Sequence, residues 1–298
     1  MKTKIRWSVY IVCFVFIMGN HFEEQITSVM QPLSELFIRH SLRNEHIIVS
    51  FSTTPYRIEK MQSTVKSLFE QNAKIDKIYL SVPYKFKRDN LEYKIPQWLQ
   101  DEKRITILRT EDYGPATKIL GVLEQVKLDP HTIIITVDDD IYYPYNLVLH
   151  LGHKAKQNPN YAIGLTGSNP EYDEEGKISK HSAEGFYNNY TPDASVSFLQ
   201  GFSGIAYRRK FFDESIFEIK NAPKECVNSD DLYLSFYLSK RAVKRTILNN
   251  NFLSARKIKS KLPIGTAPDA LHNLIPAPVD KHRICVAYMK EKNPDVEF

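Results

Sequence analysis

The chain has little cysteine, three residues in 298: Cys13, Cys226 and Cys285. They have no metal-ligand spacing and make no disulfide framework. Cys13 lies in an apolar N-terminal segment, so Cys226 and Cys285 are the one pair left, and both are expected as free thiols. No basic stripe is interleaved with aromatics, which excludes nucleic acid as a partner. The net charge of +5 is mild and suits an anionic small substrate or a membrane surface equally. There is no internal repeat and no low-complexity linker. What is present is ample for a core, at 42% hydrophobic and 12% aromatic residues, in a length that allows one large domain or two small ones.

The N-terminus places Lys2, Lys4 and Arg6 ahead of an uncharged apolar run from Trp7 to Gly19. That is a positive region followed by a hydrophobic one, shorter than the ~20 residues of a spanning helix. No clean small-residue cleavage site follows. Residues 1–20 therefore read as a signal anchor or a signal peptide, with the protein membrane-anchored by this segment or exported. Ile26, Val29, Met30, Leu33, Leu36 and Phe37 recur at near-helical spacing, which makes residues 21–43 a stem or helical segment.

From Ile47 the pattern becomes alternating strands and helices. Strands are expected at Ile47–Phe51, Lys77–Val82, Ile105–Leu108, Thr132–Val137, Ala162–Thr166 and Ser195–Leu199. Helices are expected at Arg57–Gln71, Ala116–Lys127 and Tyr145–Gln157, with a short one before Gln100. Strands separated by helices imply βαβ crossovers and a mostly parallel sheet, hence an α/β domain. The polar interval from Glu171 to Tyr190 reads as a loop over the substrate. The last fifty residues carry Arg256, Lys257, Lys259 and Lys261, then Pro263, Pro268, Pro276 and Pro278. Proline at that density argues against a long helix, so residues 251–298 read as a tail, either a basic solvated segment or a flap that closes on the substrate.

The chemistry is concentrated after the strand at Thr132. An apolar, β-branched run ends directly in Asp138, Asp139 and Asp140. Three like charges at the end of a buried strand repel and raise one another's pKa. A divalent cation removes that conflict, since Mg²⁺ and Mn²⁺ take hard oxygen ligands and leave room for substrate phosphates. In open α/β sheets this end of a strand is also where ligands bind. A metal–diphosphate site at Asp138–Asp140 is therefore expected, against the plainer reading of a solvated acidic loop. A second acidic pair, Asp230 and Asp231, follows Asn228 and Ser229 and opens a helix. Capping and the helix dipole explain such a pair by themselves, but two separated aspartate clusters in one domain favour a catalytic role. Between them Gly201 and Gly204 permit close backbone approaches, in an ordinary turn or in the floor of a substrate site.

This order of features resembles the GT-A class of nucleotide-sugar glycosyltransferases, above all family 2-like and exostosin-like family 64 members. The resemblance spans roughly residues 45–250 and rests on the strand before Asp138-x-Asp140, the later glycine-bearing strand and Ser229-Asp230-Asp231. It implies a three-layer α/β/α catalytic domain over residues 44–250, and a hexosyl- or N-acetylhexosaminyl-type transferase using Mn²⁺ or Mg²⁺. The donor would be a nucleotide-diphospho-sugar, commonly of uridine, and the acceptor a hydroxyl of a glycan, lipid or protein. Thr53, Thr54 and Arg57 would meet the nucleotide, Tyr113 would stack on the base or line the sugar pocket, and Lys118 would neutralise phosphate. Asp138 would meet ribose or sugar and share the cation with Asp140, assisted by Asp139. Asp231, with Asp230 as the alternative, would be the catalytic carboxylate of an inverting or a retaining reaction. His272 and His282 are candidates for a further metal ligand. A glycine-rich, arginine-containing loop, the mark of nucleotidyltransferases, is replaced by Ser52-Thr53-Thr54-Pro55. The rival readings are a metal-dependent nucleotidyltransferase or phosphodiesterase, and a membrane-tethered binding protein holding a structural ion.

Overall fold

A computed structural model describes residues 32–175, 178–185, 195–248, 259–260 and 278–296. The chain divides into two compact units, Met1–Arg43 and Asn44–Phe298. The described part of the first is a helix at residues 32–41 (α1); residues 1–31, and with them the signal-like segment, lie outside the described residues. Among the described residues no helix is long and apolar enough to cross a membrane.

The second unit begins with β1 (Ile47–Ser52), α2 (Gln62–Phe69), β2 (Lys77–Pro83), α3 (Gln97–Asp101) and β3 (Ile105–Thr110). It continues through α4 (Thr117–Gln125), β4 (Ile133–Thr136), β5 (Ile141–Tyr142), α5 (Leu147–Gln157) and β6 (Tyr161–Gly164). β7 (Thr166–Tyr172), β8 (Ile178–Gly185), β9 (Phe198–Leu199) and β10 (Ile205–Arg208) follow. The last elements are α6 (Lys224–Val227), α7 (Asp230–Lys240), β11 (Lys244–Ile247), β12 (Lys259–Ser260) and α8 (Pro278–Lys292).

Seven strands form the central sheet in the order β11-β6-β10-β4-β1-β2-β3. The run β4-β1-β2-β3 is parallel, β6 and β11 are parallel to each other, and β10 is antiparallel to β4 and β6. The expectation of an α/β domain with a mostly parallel sheet flanked by helices is met. The reason is visible in the strands: Ile47–Phe51, with Ser50 its one polar residue, and Ile133–Ile135 are apolar and buried, as strands covered on both faces must be. Ile48, Ile134, Ile205 and Tyr207 pack in one cluster with the apolar residues of α4 and α7. α5 packs on β4, β6 and β10.

Several expected elements differ. The helix expected from Arg57 begins only at Gln62, because the chain first turns at Thr54, whose carbonyl accepts the N–H groups of Arg57 and Ile58. In the interval read as a loop, β7 and β8 form an antiparallel hairpin, with β9 as a third strand. Residues 176–177 and 186–190 of that interval lie outside the described residues. In the tail a 15-residue helix stands where proline was read as excluding one. Pro278 is its first residue, where a missing N–H costs nothing. Finally, Cys226 and Cys285 are not free thiols but a disulfide, with Cα atoms 4.8 Å apart and 59 residues of separation. The bond joins α6 to α8, two helices whose proximity depends on the whole fold and leaves no trace in cysteine spacing.

Candidate active site

The register of the sheet assembles the site. β1 and β4 are parallel neighbours with Ser50 opposite Thr136, so residues three further on, Thr53 and Asp139, leave the sheet side by side. Thr53 Oγ1 donates to Asp139 Oδ2 at 2.5 Å. Arg57, delivered by the turn after β1, brings Nε to 3.2 Å from the same oxygen and a terminal nitrogen to 3.4 Å from Asp140 Oδ2. Thr64 Oγ1 donates to the Asp139 carbonyl. Asp139 is therefore buried and structural. Burial pushes its carboxyl up to about 6; Arg57 and Thr53 pull it down, and Asp140 and Asp138 push it up.

β10 runs antiparallel beside β4, with Ile205 opposite Thr136. The residues before it, Gly201–Gly204, must therefore pass over the same end of the sheet. Tyr143 ties this segment to the acidic run. Its hydroxyl accepts the Asp138 N–H and donates to the Phe202 carbonyl, each at 2.8 Å. Gly204 takes a positive φ of 101°, which lets the chain turn from this crossing into β10.

Lys118 occupies the first turn of α4, which starts beside the same end of the sheet; the Ser50 hydroxyl donates to its carbonyl. Its ammonium is buried and lies 3.0 Å from Asp138 Oδ1 and 3.2 Å from Asp230 Oδ2. One cation thus joins two acidic clusters that are 92 residues apart in sequence (230 − 138). Burial alone would pull the Lys118 pKa down, but Asp138, Asp230 and Asp231 together hold it well above the ordinary lysine value.

Asp230 and Asp231 open α7, where the helix dipole favours them. Ser229 holds the cap position but makes no side-chain cap bond. The Asp231 carboxylate instead turns to the crossing segment, where Oδ2 accepts the Gly201 N–H at 3.0 Å. Its Oδ1 is buried and has no hydrogen-bond partner among the described residues. Burial and the neighbouring Asp230 push this carboxyl up to about 7, although Lys118 and the Gly201 N–H pull it down. Gly201 is required sterically, since a Cβ there would sit 2.7 Å from Lys118 Nζ and 2.8 Å from Asp231 Oδ1.

These groups line one cavity of about 810 Å³. Thr53, Thr54, Arg57, Lys118, the three aspartates at 138–140 and the pair at 230–231 all reach it, as does His282. Tyr113 does not. Its hydroxyl donates to Glu124 and its ring packs on Phe217, because the turn at Gly114, φ 62°, directs residue 113 into the core. His272 lies outside the described residues. Sequence reasoning missed Tyr143 and Tyr93, whose hydroxyl donates to the Thr53 carbonyl, as well as Lys281, which lines the cavity from α8. The tyrosines had a signal in the tyrosine-rich runs that flank the aspartates and precede Gln97. Lys281 had none.

A mixed-charge cavity thus lies at the carboxyl ends of β1 and β4, two central strands of an α/β sheet, the end at which open α/β sheets bind ligands. No protein-family model matches the chain, and no curated protein matches it. Among solved structures it is similar to the crystal structure of Francisella tularensis 2-C-methyl-D-erythritol 4-phosphate cytidylyltransferase (IspD). The two are 11% identical with a TM-score of 0.41, over 69% of this chain and 89% of that one.

Proposed function

We propose that this protein is a metal-dependent glycosyltransferase that moves a sugar from a nucleotide-diphospho-sugar to a hydroxyl acceptor. The observation that carries the reading is Asp231, which lines the cavity that Asp138, Asp140 and Lys118 share, with one oxygen fixed by the Gly201 N–H and the other buried and without a hydrogen-bond partner among the described residues. Asp230 is turned to Lys118 instead, which favours Asp231 as the catalytic carboxylate.

The residues fit a divalent cation of one kind. Among the described residues no group of three or more His, Cys, Asp or Glu could hold a metal, so a closed all-protein cage is excluded there. Asp138 and Asp140 are partly exposed and offer hard oxygens. That suits Mn²⁺ or Mg²⁺ bound by one or two carboxylates and completed by substrate phosphates. Such an ion, when bound, supplies electrostatic stabilisation to a diphosphate leaving group.

The chain's own groups do the remainder. Thr53 and Thr54 border the cavity as a nucleotide wall. Arg57 and Tyr93 brace the loop that forms it. Lys118 supplies positive charge beside Asp138 as the sugar–phosphate bond breaks. Asp231 accepts the proton of the acceptor hydroxyl if the reaction inverts, or steadies the cationic sugar if it retains. A carboxyl held near neutrality suits a base that must be free at working pH. The acceptor class is a glycan, lipid or protein hydroxyl, and the protein is anchored or exported through residues 1–20. The disulfide supports an oxidising compartment. The test is release of free UDP from UDP-sugars with and without Mn²⁺. Metal-dependent release by the native chain, lost in Asp231→Asn with donor binding retained, supports the reading. Unchanged transfer by Asp231→Asn removes that residue from the mechanism.

A further inference from the structure

Most cations at the cavity are already matched. Arg57 faces Asp139 and Asp140, Lys118 lies between Asp138 and Asp230, and Lys87 pairs with Glu111. Lys224 is exposed. Lys281 differs from all of these. It lines the cavity and is partly buried, and its ammonium donates to a neutral acceptor, the Asn228 carbonyl at 3.2 Å. Among the described residues no carboxylate forms an ion pair with it. Asp230 and Asp231 act on it only from a distance, and burial lowers its pKa. Withdrawing an ammonium from water without a counter-ion is costly, unless a ligand supplies the missing charge.

The placement of Lys281 is built rather than incidental. Lys281 and Cys285 are four residues apart on α8 and so share one face of that helix. On the other side, Cys226 in α6 lies two residues before Asn228. The disulfide Cys226–Cys285 and the hydrogen bond from Lys281 to Asn228 are thus two rungs between the same pair of segments. His282 packs edge-on to Phe198, with ring centroids 6.0 Å apart, which steadies the turn carrying Lys281. The segment so clamped, Asn228–Asp231, leads directly into Asp231.

We propose that Lys281 binds a phosphate group of the substrate at the α6–α8 wall of the cavity, and that the Cys226–Cys285 disulfide holds it in position. The proposal rests on the transferase reading only for the source of that phosphate, which is either the donor diphosphate or a phosphorylated acceptor.

The test is titration calorimetry of the full chain with inorganic pyrophosphate in the presence of Mg²⁺, a probe that requires no transfer. Wild type is expected to bind it. Lys281→Gln should weaken binding roughly tenfold or more, the range for a hydrogen bond to a charged group, and Lys281→Arg should restore most of it. The double variant C226A/C285A should lose a comparable factor, with little further loss when Lys281→Gln is added. UDP as a second probe separates the sources. Its affinity falls in step with pyrophosphate if the donor carries the group, and is unchanged if the acceptor does. Pyrophosphate affinity equal to wild type in Lys281→Gln, or no binding by wild type, overturns the role of Lys281. A folded C226A/C285A variant with full affinity overturns the role of the disulfide, and if that variant does not fold, Lys281→Gln, made with the disulfide intact, decides. Loss of pyrophosphate binding in Lys281→Gln in a chain that transfers no sugar supports this site and counts against the transferase reading alone.

Discussion

Replacing Gly201 by alanine is the smallest change that reaches both acidic clusters at once. The added methyl would lie 2.7 Å from Lys118 Nζ and 2.8 Å from Asp231 Oδ1. Neither atom can swing aside freely. Lys118 is buried and paired with Asp138 and Asp230, while Asp231 is held through its other oxygen by the N–H of residue 201 itself. Overpacking of this kind costs about 1–3 kcal/mol. Gly201 does not take a positive φ, so alanine also narrows the unfolded ensemble and returns about 0.4–1 kcal/mol. The net loss is therefore roughly 1–2 kcal/mol, and Tm should fall by roughly 2–4 °C for a chain of this size. Activity should suffer far more. Displacing a catalytic carboxylate by ~1 Å costs on the order of a hundredfold in rate. Thermal melting and UDP release, run on the same preparation with Mn²⁺ present, separate the two effects. A variant that melts a few degrees lower yet transfers sugar at the wild-type rate would refute the placement of Asp231 at the reacting centre.

Asp140→Ala should abolish metal-dependent donor binding in calorimetry, and chelation of the native protein should do the same reversibly. Lys118→Met removes the shared partner of Asp138 and Asp230; breaking a buried pair this way costs about 3–5 kcal/mol, measured as a lowered denaturation midpoint. Asp231 sits at about 7 in the folded chain against about 4 unfolded, so the native state binds the extra proton between those values. This group therefore makes stability fall as pH rises from about 4 to 7. Melting temperature followed against pH should lose that slope in Asp231→Asn. The rate of transfer, if Asp231 acts as base, should rise with pH through the same region and then level off.

The parallel core was legible because its strands are short, largely apolar runs separated by helical stretches, and Asp138–Asp140 stood out because it ends the most apolar of them. The pairing of Thr53 with Asp139 needed the order of the strands, since only the structure makes β1 and β4 neighbours. Much of the site was not legible, because it is made by elements crossing in space. Only the antiparallel insertion of β10 brings Gly201 against Asp231, and nothing near residue 201 announces that neighbour. Ser229 holds the cap position of α7 yet makes no side-chain cap bond, and nothing in the local sequence announces that Asp231 turns to Gly201. Tyr113 lay beside Lys118 in sequence, yet the turn at Gly114 sends the two in different directions. Lys281 and the disulfide depend on α8, whose start at Pro278 was hidden in a proline-rich stretch.

The central claim is that a nucleotide's diphosphate is held at Asp138 and Asp140 through a divalent cation, within reach of Asp231. Calorimetry of the full chain against a panel of nucleotide sugars, with and without Mn²⁺, tests this most directly. The account predicts at least one donor that binds only with the cation and is lost in Asp140→Ala. Binding of no donor, or binding that persists in Asp140→Ala without metal, would contradict it.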